Sequence, residues 1–195
     1  MNPEEADLKP RELPGADIVQ KLGQFVRHVR LKNSVPVVIR AIQSSDEALL
    51  LRFHERLSDR SVYLRYFSTI SLSRRVAREQ LARICLIDDR EFALVAVLKH
   101  EGGEEQEIVG LGQMIRHNGL HEAELGLIVR DDYQNQRLGT RLSECLLEIS
   151  RAAGAQRAVS LLLWENYAMR MIGRRLGCNM EFVPGEHAVR ATLAL

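Results

Sequence analysis

Apolar residues recur at helical spacing early in the chain, at Ile18, Leu22, Phe25, Val26 and Val29, and predict a short amphipathic helix ending near Lys32, Asn33 and Ser34. Such a helix either packs on the main domain or serves as a partner-binding helix or lid. The pattern then tightens. Val35 to Ile42 (VPVVIRAI) is β-branched and predicts a strand, and a Ser44-x-x-Glu47 capping box opens a helix carrying Leu49, Leu50, Phe53 and Leu57. A second helix is expected from about Ser73 to Cys85 through Val76, Leu81 and Ile84. Between the two, SDRSVYLRYFSTIS mixes aromatic and basic residues and reads either as a packed helix connection or as the lining of a substrate entrance.

Three strands are predicted next, EFALVAVLK (91–99), EIVGLGQMIR (107–116) and EAELGLIVR (122–130). Gly102-Gly103 and Asn118-Gly119 supply the turns, so an antiparallel meander follows. After DDYQNQ comes a long helix with Leu138, Leu142, Cys145, Leu146 and Ile149 on one face and Gly154 as its stop. AVSLLLW (158–164) reads as a buried strand, Asn166 as an N-cap, YAMRMIGRRL as a helix and Gly177 as its C-cap. The remainder reads as a hairpin turning at Pro184-Gly185.

With 195 residues, the chain fits one domain with a short extension. Three of its five prolines fall within Met1 to Asp17, which reads as a flexible lead-in. That segment has no apolar h-region and no run of 18 uncharged apolar residues occurs anywhere, so neither a secretory signal nor a membrane span is expected. The balance of 27 basic against 26 acidic residues leaves +1, which disfavours a nucleic-acid partner. Cys85, Cys145 and Cys178 are odd in number and lack CxxC spacing, which fits a reducing cytoplasm and no thiolate metal site. His117 and His121 are four apart, but Asn118-Gly119 puts them around a hairpin tip, and no metal is expected there. Cys145 lies on the apolar helix face and reads as core, not as an acyl-carrying nucleophile.

The order strand, two helices, meander, glycine-containing turn, long helix, strand, helix and hairpin resembles the GNAT superfamily of acyl-CoA N-acyltransferases. VRDDYQNQRLGTRL (129–142) is similar to the family's acyl-CoA signature, Gln/Arg-x-x-Gly-x-Gly/Ala, which falls on Gln134, Asn135, Gln136, Arg137, Leu138 and Gly139. Arg137 stands in place of the first glycine. WENYAMRMIGRRLGC, FHERLSDRSVYLRYFS and DDREFALVAVL bring the resemblance closest to the GNAT domain of bacterial Pat-type protein lysine acetyltransferases. The resemblance implies an α/β fold with a mixed, mostly antiparallel central sheet flanked by helices, spanning 35–195 behind an N-terminal extension at 1–34.

It also implies roles. A loop entering a helix presents unpaired N–H groups and a positive dipole end, where a pyrophosphate docks. Gln134, Asn135, Gln136, Arg137, Leu138, Gly139 and Thr140 are thus the expected acetyl-CoA contacts. Arg137 is expected to keep a right-handed helical backbone with its side chain swung outward. The pantetheine arm is expected to pair with the backbone of Leu127, Ile128 and Val129. Asn166 suits both a helix cap and a contact to the CoA arm. Glu124 corresponds to the catalytic glutamate of Pat-type enzymes and is the expected general base, acting through water, with Glu122 its competitor by strand parity. No tyrosine acid transfers by position, because Gly173 stands there and Tyr167 is far along the helix. The implied reaction moves acetyl from acetyl-CoA to a protein lysine, with acyl-CoA synthetases as the family-suggested targets. A small-amine acetyltransferase and a non-catalytic CoA-sensing module are the alternatives.

Overall fold

The computed structural model describes residues 19–20, 22–88, 90–99, 106–117 and 121–195. Its strands are β1 (Val26–Arg30), β2 (Pro36–Ala41), β3 (Glu91–Lys99), β4 (Gln106–His117), β5 (Glu122–Val129), β6 (Arg157–Leu163), β7 (Asn179–Val183) and β8 (Ala188–Ala194). The helices are α1 (Glu47–Glu55), α2 (Asp59–Tyr66), α3 (Leu72–Arg75), α4 (Arg78–Ile84), α5 (Leu138–Ala152) and α6 (Tyr167–Arg175). One sheet runs in the order β1-β2-β3-β4-β5-β6-β8-β7, antiparallel throughout except where β5 meets β6. No helix among the described residues is long and apolar enough to cross a membrane.

The unbroken apolar run of β3 has a simple cause: the sheet is covered on both faces. Leu94, Ala96 and Leu98 point into a cluster with Leu138, Leu142, Leu146 and Ile149 of α5. Ala93, Val95 and Val97 point the other way, against Leu50 and Phe53 of α1, Val62 of α2 and Leu81 and Ile84 of α4.

Three local expectations are corrected. Val26–Arg30 is a strand, not the second half of a helix. It pairs antiparallel with β2 from Val26↔Arg40 to Arg30↔Pro36, which satisfies the outer backbone groups of β2, and its valines suit a sheet edge. The sheet therefore begins within the stretch read as an extension. The capping box also shifts: the Gln43 backbone N–H donates to Asp46 Oδ2 at 2.8 Å, and Asp46 is buried against a bidentate Arg40 at 2.7 and 2.8 Å. Finally, the helix expected over Ser73 to Cys85 is two helices, broken at Ala77, whose ψ of 135° is extended. The lead-in over Met1 to Asp17 and the turns at Gly102-Gly103 and Asn118-Gly119 lie outside the described residues.

Ahead of the break, buried Arg75 donates to the carbonyl of His54 at 2.9 Å. The His54 ring is itself buried and finds no hydrogen-bond partner for either nitrogen among the described residues. Burial, with the Arg75 charge adding to it, pushes its pKa down to about 4. An unfolded histidine titrates near 6.5, so between those values the unfolded chain takes up a proton that the folded one refuses. The stability His54 contributes is complete above pH ~6.5 and is lost as the pH falls toward about 4, by about 3 kcal/mol at most. His54→Leu is expected to flatten this part of the stability profile, measured by urea unfolding at stepped pH. An unchanged profile contradicts the assignment.

Candidate active site

Among the described residues the sheet has one parallel pairing, and it is short, with Glu122, Ala123 and Glu124 opposite Arg157, Ala158 and Val159. Beyond it β5 and β6 part company. β6 stays paired to β8 over its whole length, and β5 stays paired to β4, where Gly126 to Val129 face Gln113 to Gly110. The backbone of Gly126 to Val129 is thus held on one side, and its other side faces the gap. One strap crosses near the fork, a 2.8 Å hydrogen bond from Ser160 Oγ to the Leu125 carbonyl.

A cleft of about 500 Å³ opens from this fork, within the size range of ligand pockets. Leu127, Ile128, Val129, Met169, Met171 and Ile172 give it apolar walls. Lys32, Arg65, Arg137 and Arg175 give it four cations, and no carboxylate lines it among the described residues. The near-neutral whole chain conceals this, because the four come from four separate segments. Lys32 is delivered by the β1–β2 turn: its backbone N–H donates to the Gln136 carbonyl at 3.2 Å, and that of Asn33 donates to Gln136 Oε1 at 3.1 Å.

The loop from Gln134 to Gly139 forms the far end. Asn135 and Arg137 have φ of 59° and 68°, both left-handed. The right-handed backbone expected for Arg137 is therefore corrected, and the reason is geometric: a left-handed residue directly before the right-handed start of α5 turns successive N–H groups to one side as an anion-binding concavity. A glycine would adopt that conformation without strain. Replacing Arg137 by Gly should relieve about 1–2 kcal/mol of left-handed strain, partly offset by about 0.5–1 kcal/mol of lost helix preference and chain entropy. The expected outcome is a melting temperature higher by about 1–4 °C in calorimetry. A lower one would mean that Arg137 makes contacts worth more than the strain.

Most of the residues singled out by sequence are together at this cleft. Leu127, Ile128, Val129, Gln134, Asn135, Arg137, Gly139, Thr140 and Asn166 all line it. Two do not. Leu138 is buried in the core, and Gln136 instead tethers the β1–β2 turn. Gln134 lines the cleft, yet its amide nitrogen donates to Ser61 Oγ at 2.9 Å and to the Val129 carbonyl at 3.1 Å, so its side chain ties the loop to α2 and β5. Asn166 caps α6, accepting the Met169 N–H at 3.2 Å. A Cβ on Gly139 would stand 3.1 Å from Ile172 Cδ1, so its smallness lets α5 and α6 approach at the cleft. The segment SDRSVYLRYFSTIS is both things it was read as: α2 packs Val62 into the core and turns Ser61, Leu64 and Arg65 to the cleft.

Glu124 lies outside the lining, on the same sheet face as Gly126 and Ile128 and just past the fork. Its carboxylate is half exposed and 3.2 Å from His117 Nε2, a partner that sequence reasoning missed because the two sit on adjacent strands. Glu122 is committed elsewhere, in an ion pair with Arg157. The cysteines offer no nucleophile: burial is the first cause in each, and it pushes the thiols of Cys85 and Cys145 up to about 11. Among the described residues no group of His, Cys, Asp and Glu side chains is arranged to hold a metal ion.

The model of the acetyltransferase (GNAT) domain matches residues 37–179. Among solved structures, the GNAT domain of S. lividans PAT superposes with a TM-score of 0.75 at 22% identity, covering 87% of this chain and 97% of that one. Mycobacterium smegmatis RimJ in complex with CoA-disulfide gives 0.61 at 20% identity, covering 87% of this chain and 86% of that one. The ribosomal-protein-S5-alanine acetyltransferase from Vibrio fischeri gives 0.65 at 16% identity, covering 81% and 92%. Each has the same fold. The matched span runs from β2 through the forked strands and the phosphate-type loop to the start of β7, and on that match this chain belongs to the GNAT acetyltransferase family.

Proposed function

We propose that the protein transfers an acetyl group from acetyl-CoA to a lysine of another protein in the cytoplasm, with Glu124 as general base. The observation that carries this reading is the cleft itself, in which a cationic loop end with Arg137 and Lys32 continues into apolar walls along a half-paired strand, with no carboxylate in the lining among the described residues. That sequence of environments suits a ligand with phosphates at one end and an extended, mostly apolar arm at the other. The left-handed Arg137 and the start of α5 supply N–H donors for the phosphates, and the open edge of Leu127 to Val129 supplies main-chain groups for the arm.

A lysine amine with an ordinary pKa of ~10.4 is neutral in only about 1 molecule in 2,500 at pH 7, which costs about 4.6 kcal/mol. Glu124 offsets that cost by taking the ammonium proton through a water, and its position past the fork suits an amine arriving from the α2 side. Bound acetyl-CoA supplies the thioester, at which a C–N bond forms as the C–S bond breaks and CoA leaves as a thiolate. Proton transfer from water to that thiolate needs no tyrosine, since a thiol has a pKa of only ~8.5. Direct attack is favoured over an acyl-cysteine route by the raised pKa values of Cys85 and Cys145.

An acyl-CoA synthetase is the first acceptor to try. Thiol release from acetyl-CoA is measured with such a synthetase and with a panel of small amines, and modified lysines are mapped by mass spectrometry. Turnover with the synthetase alone is the expected result. Turnover with small amines alone would replace the protein substrate in this reading.

A further inference from the structure

Lys32 and Arg137 belong to the loop end of the cleft, where phosphates are expected, but Arg65 does not. It projects from the last turn of α2 over β5 at Gly126, and a Cβ at that position would collide with its guanidinium. Gly126 directly precedes Leu127 to Val129, the stretch offered to the pantetheine arm, and lies on the same face as Glu124. Arg65 therefore stands at the reaction end.

Its partners differ from those of two other shielded arginines, which meet carboxylates: Arg40 holds Asp46 at 2.7 Å, and Arg130 holds Asp132 at 2.7 Å and Glu107 at 2.8 Å. Arg65 has no carboxylate partner among the described residues. Its hydrogen bond goes to the neutral amide oxygen Oε1 of Gln113, 3.2 Å away on the strand beside Gly126, and the Tyr66 ring lies 5.0 Å from its guanidinium carbon. Gln113, Tyr66 and the missing Cβ of Gly126 fix the plane of the fork, while most of its five donors stay available. A fixed guanidinium with open donors is a receptor for a planar anion.

We propose that Arg65 receives a carboxylate at the end of the acyl chain, so that the donor suited to this site is a dicarboxylic acyl-CoA. The inference rests on the reading of the cleft as an acyl-CoA site. The occupant follows from reach. With the thioester carbon placed beside Leu127, the fork-side end of the stretch offered to the pantetheine arm, a four-carbon dicarboxylic acyl group carries its carboxylate about 4 Å further, close to the one strand residue of ~3.3 Å that separates Leu127 from Gly126. The carboxylate stays ionised and unchanged through transfer, so the bonds made and broken are those of the acetyl reaction.

The test uses the full chain and needs no acceptor. CoA, acetyl-CoA and succinyl-CoA are titrated calorimetrically into the native protein and into Arg65→Gln, Arg65→Lys and Gly126→Ala, each first checked for a native melting transition. Succinyl-CoA is expected to bind about tenfold or more tightly than acetyl-CoA, the gain of a charge-assisted contact. That ratio is expected to fall to about one in Arg65→Gln and in Gly126→Ala, which displaces the guanidinium, and to an intermediate value in Arg65→Lys, which keeps charge without the fork. Equal affinities for the two donors in the native protein overturn this inference and leave the acyl-CoA reading intact. A preference that survives Arg65→Gln overturns the role of Arg65. Absence of binding by CoA and by both acyl-CoAs overturns both readings.

Discussion

Glu124→Gln is expected to lower turnover by about 10²- to 10⁴-fold while leaving acetyl-CoA affinity nearly unchanged. The substitution keeps size and hydrogen bonding but removes the basic oxygen, and Glu124 lies outside the residues that line the cleft. Raising the pH should recover part of the loss, because the fraction of neutral amine rises tenfold per unit below its pKa. Glu122→Gln should matter less, since the Glu122 carboxylate is held by Arg157. Initial rates of thiol release across pH 7 to about 10 read both effects. Near-normal turnover of Glu124→Gln at neutral pH would show that another group, or water alone, takes the proton.

The second large effect is expected at Arg130, which follows the last residue of β5. Its buried guanidinium donates to Asp132 at 2.7 Å and to Glu107 at 2.8 Å and stacks on the Tyr133 ring at 4.9 Å. This cluster joins the end of β5 to the turn at Asp131–Tyr133 that leads into the cationic loop. Arg130→Ala removes the cation shared by Asp132 and Glu107, of which Glu107 keeps Arg56 at 3.3 Å, and is expected to cost about 2–3 kcal/mol of stability, read by urea unfolding. Acetyl-CoA affinity should fall with it, because the loop loses its anchor. A loss below about 1 kcal/mol would mean that the cluster behaves as an ordinary surface ion pair.

Asp131 is held by Ser58 and Ser61 on α2: the Ser58 backbone N–H donates at 3.0 Å and the two hydroxyls at 2.7 and 2.8 Å. Burial works to raise its pKa, but the Ser58 and Ser61 hydrogen bonds outweigh it and hold the carboxyl below the usual range. The Asp131 hydrogen bonds tie α2 to the turn, and the cluster around Arg130 ties the turn to the end of β5, which is why one side of the cleft comes from α2.

Much of this was legible in the chain. The apolar segments of β3, β4 and β5 are strong because these strands are central and buried, and EFALVAVLK carries both core faces in one run. Helices α5 and α6 declare themselves through one apolar face and a flanking cap or stop, with Asn166 capping α6 and left-handed Gly154 and Gly177 following the two helices. β1 was not legible. An edge strand such as VRHVR has its side chains mostly exposed, so no alternation of buried and exposed positions marks it, and neighbouring Leu22 and Phe25 complete a helical spacing by coincidence.

At the site, the contiguous pieces were readable and the assembled ones were not. The loop from Gln134 to Gly139 and the strand Leu127 to Val129 are local in sequence, so their place at the cleft follows from their order. Lys32, Arg65 and Arg175 are scattered and reach the cleft only through the fold, and the pairing of His117 with Glu124 depends on the register of β4 against β5. Arg137 shows the reverse case: its position in the motif was evident, but its left-handed backbone belongs to the turn and leaves no trace in the residue type.

Calorimetric titration of the native protein with acetyl-CoA, with Arg137→Gly alongside, tests the acyl-CoA cleft most directly. Micromolar binding by the native chain is the expected result, with an affinity for Arg137→Gly that is equal or slightly weaker. No detectable binding by the native chain, restored by Arg137→Gly, would contradict it, because the loop would then be blocked and the domain degenerate.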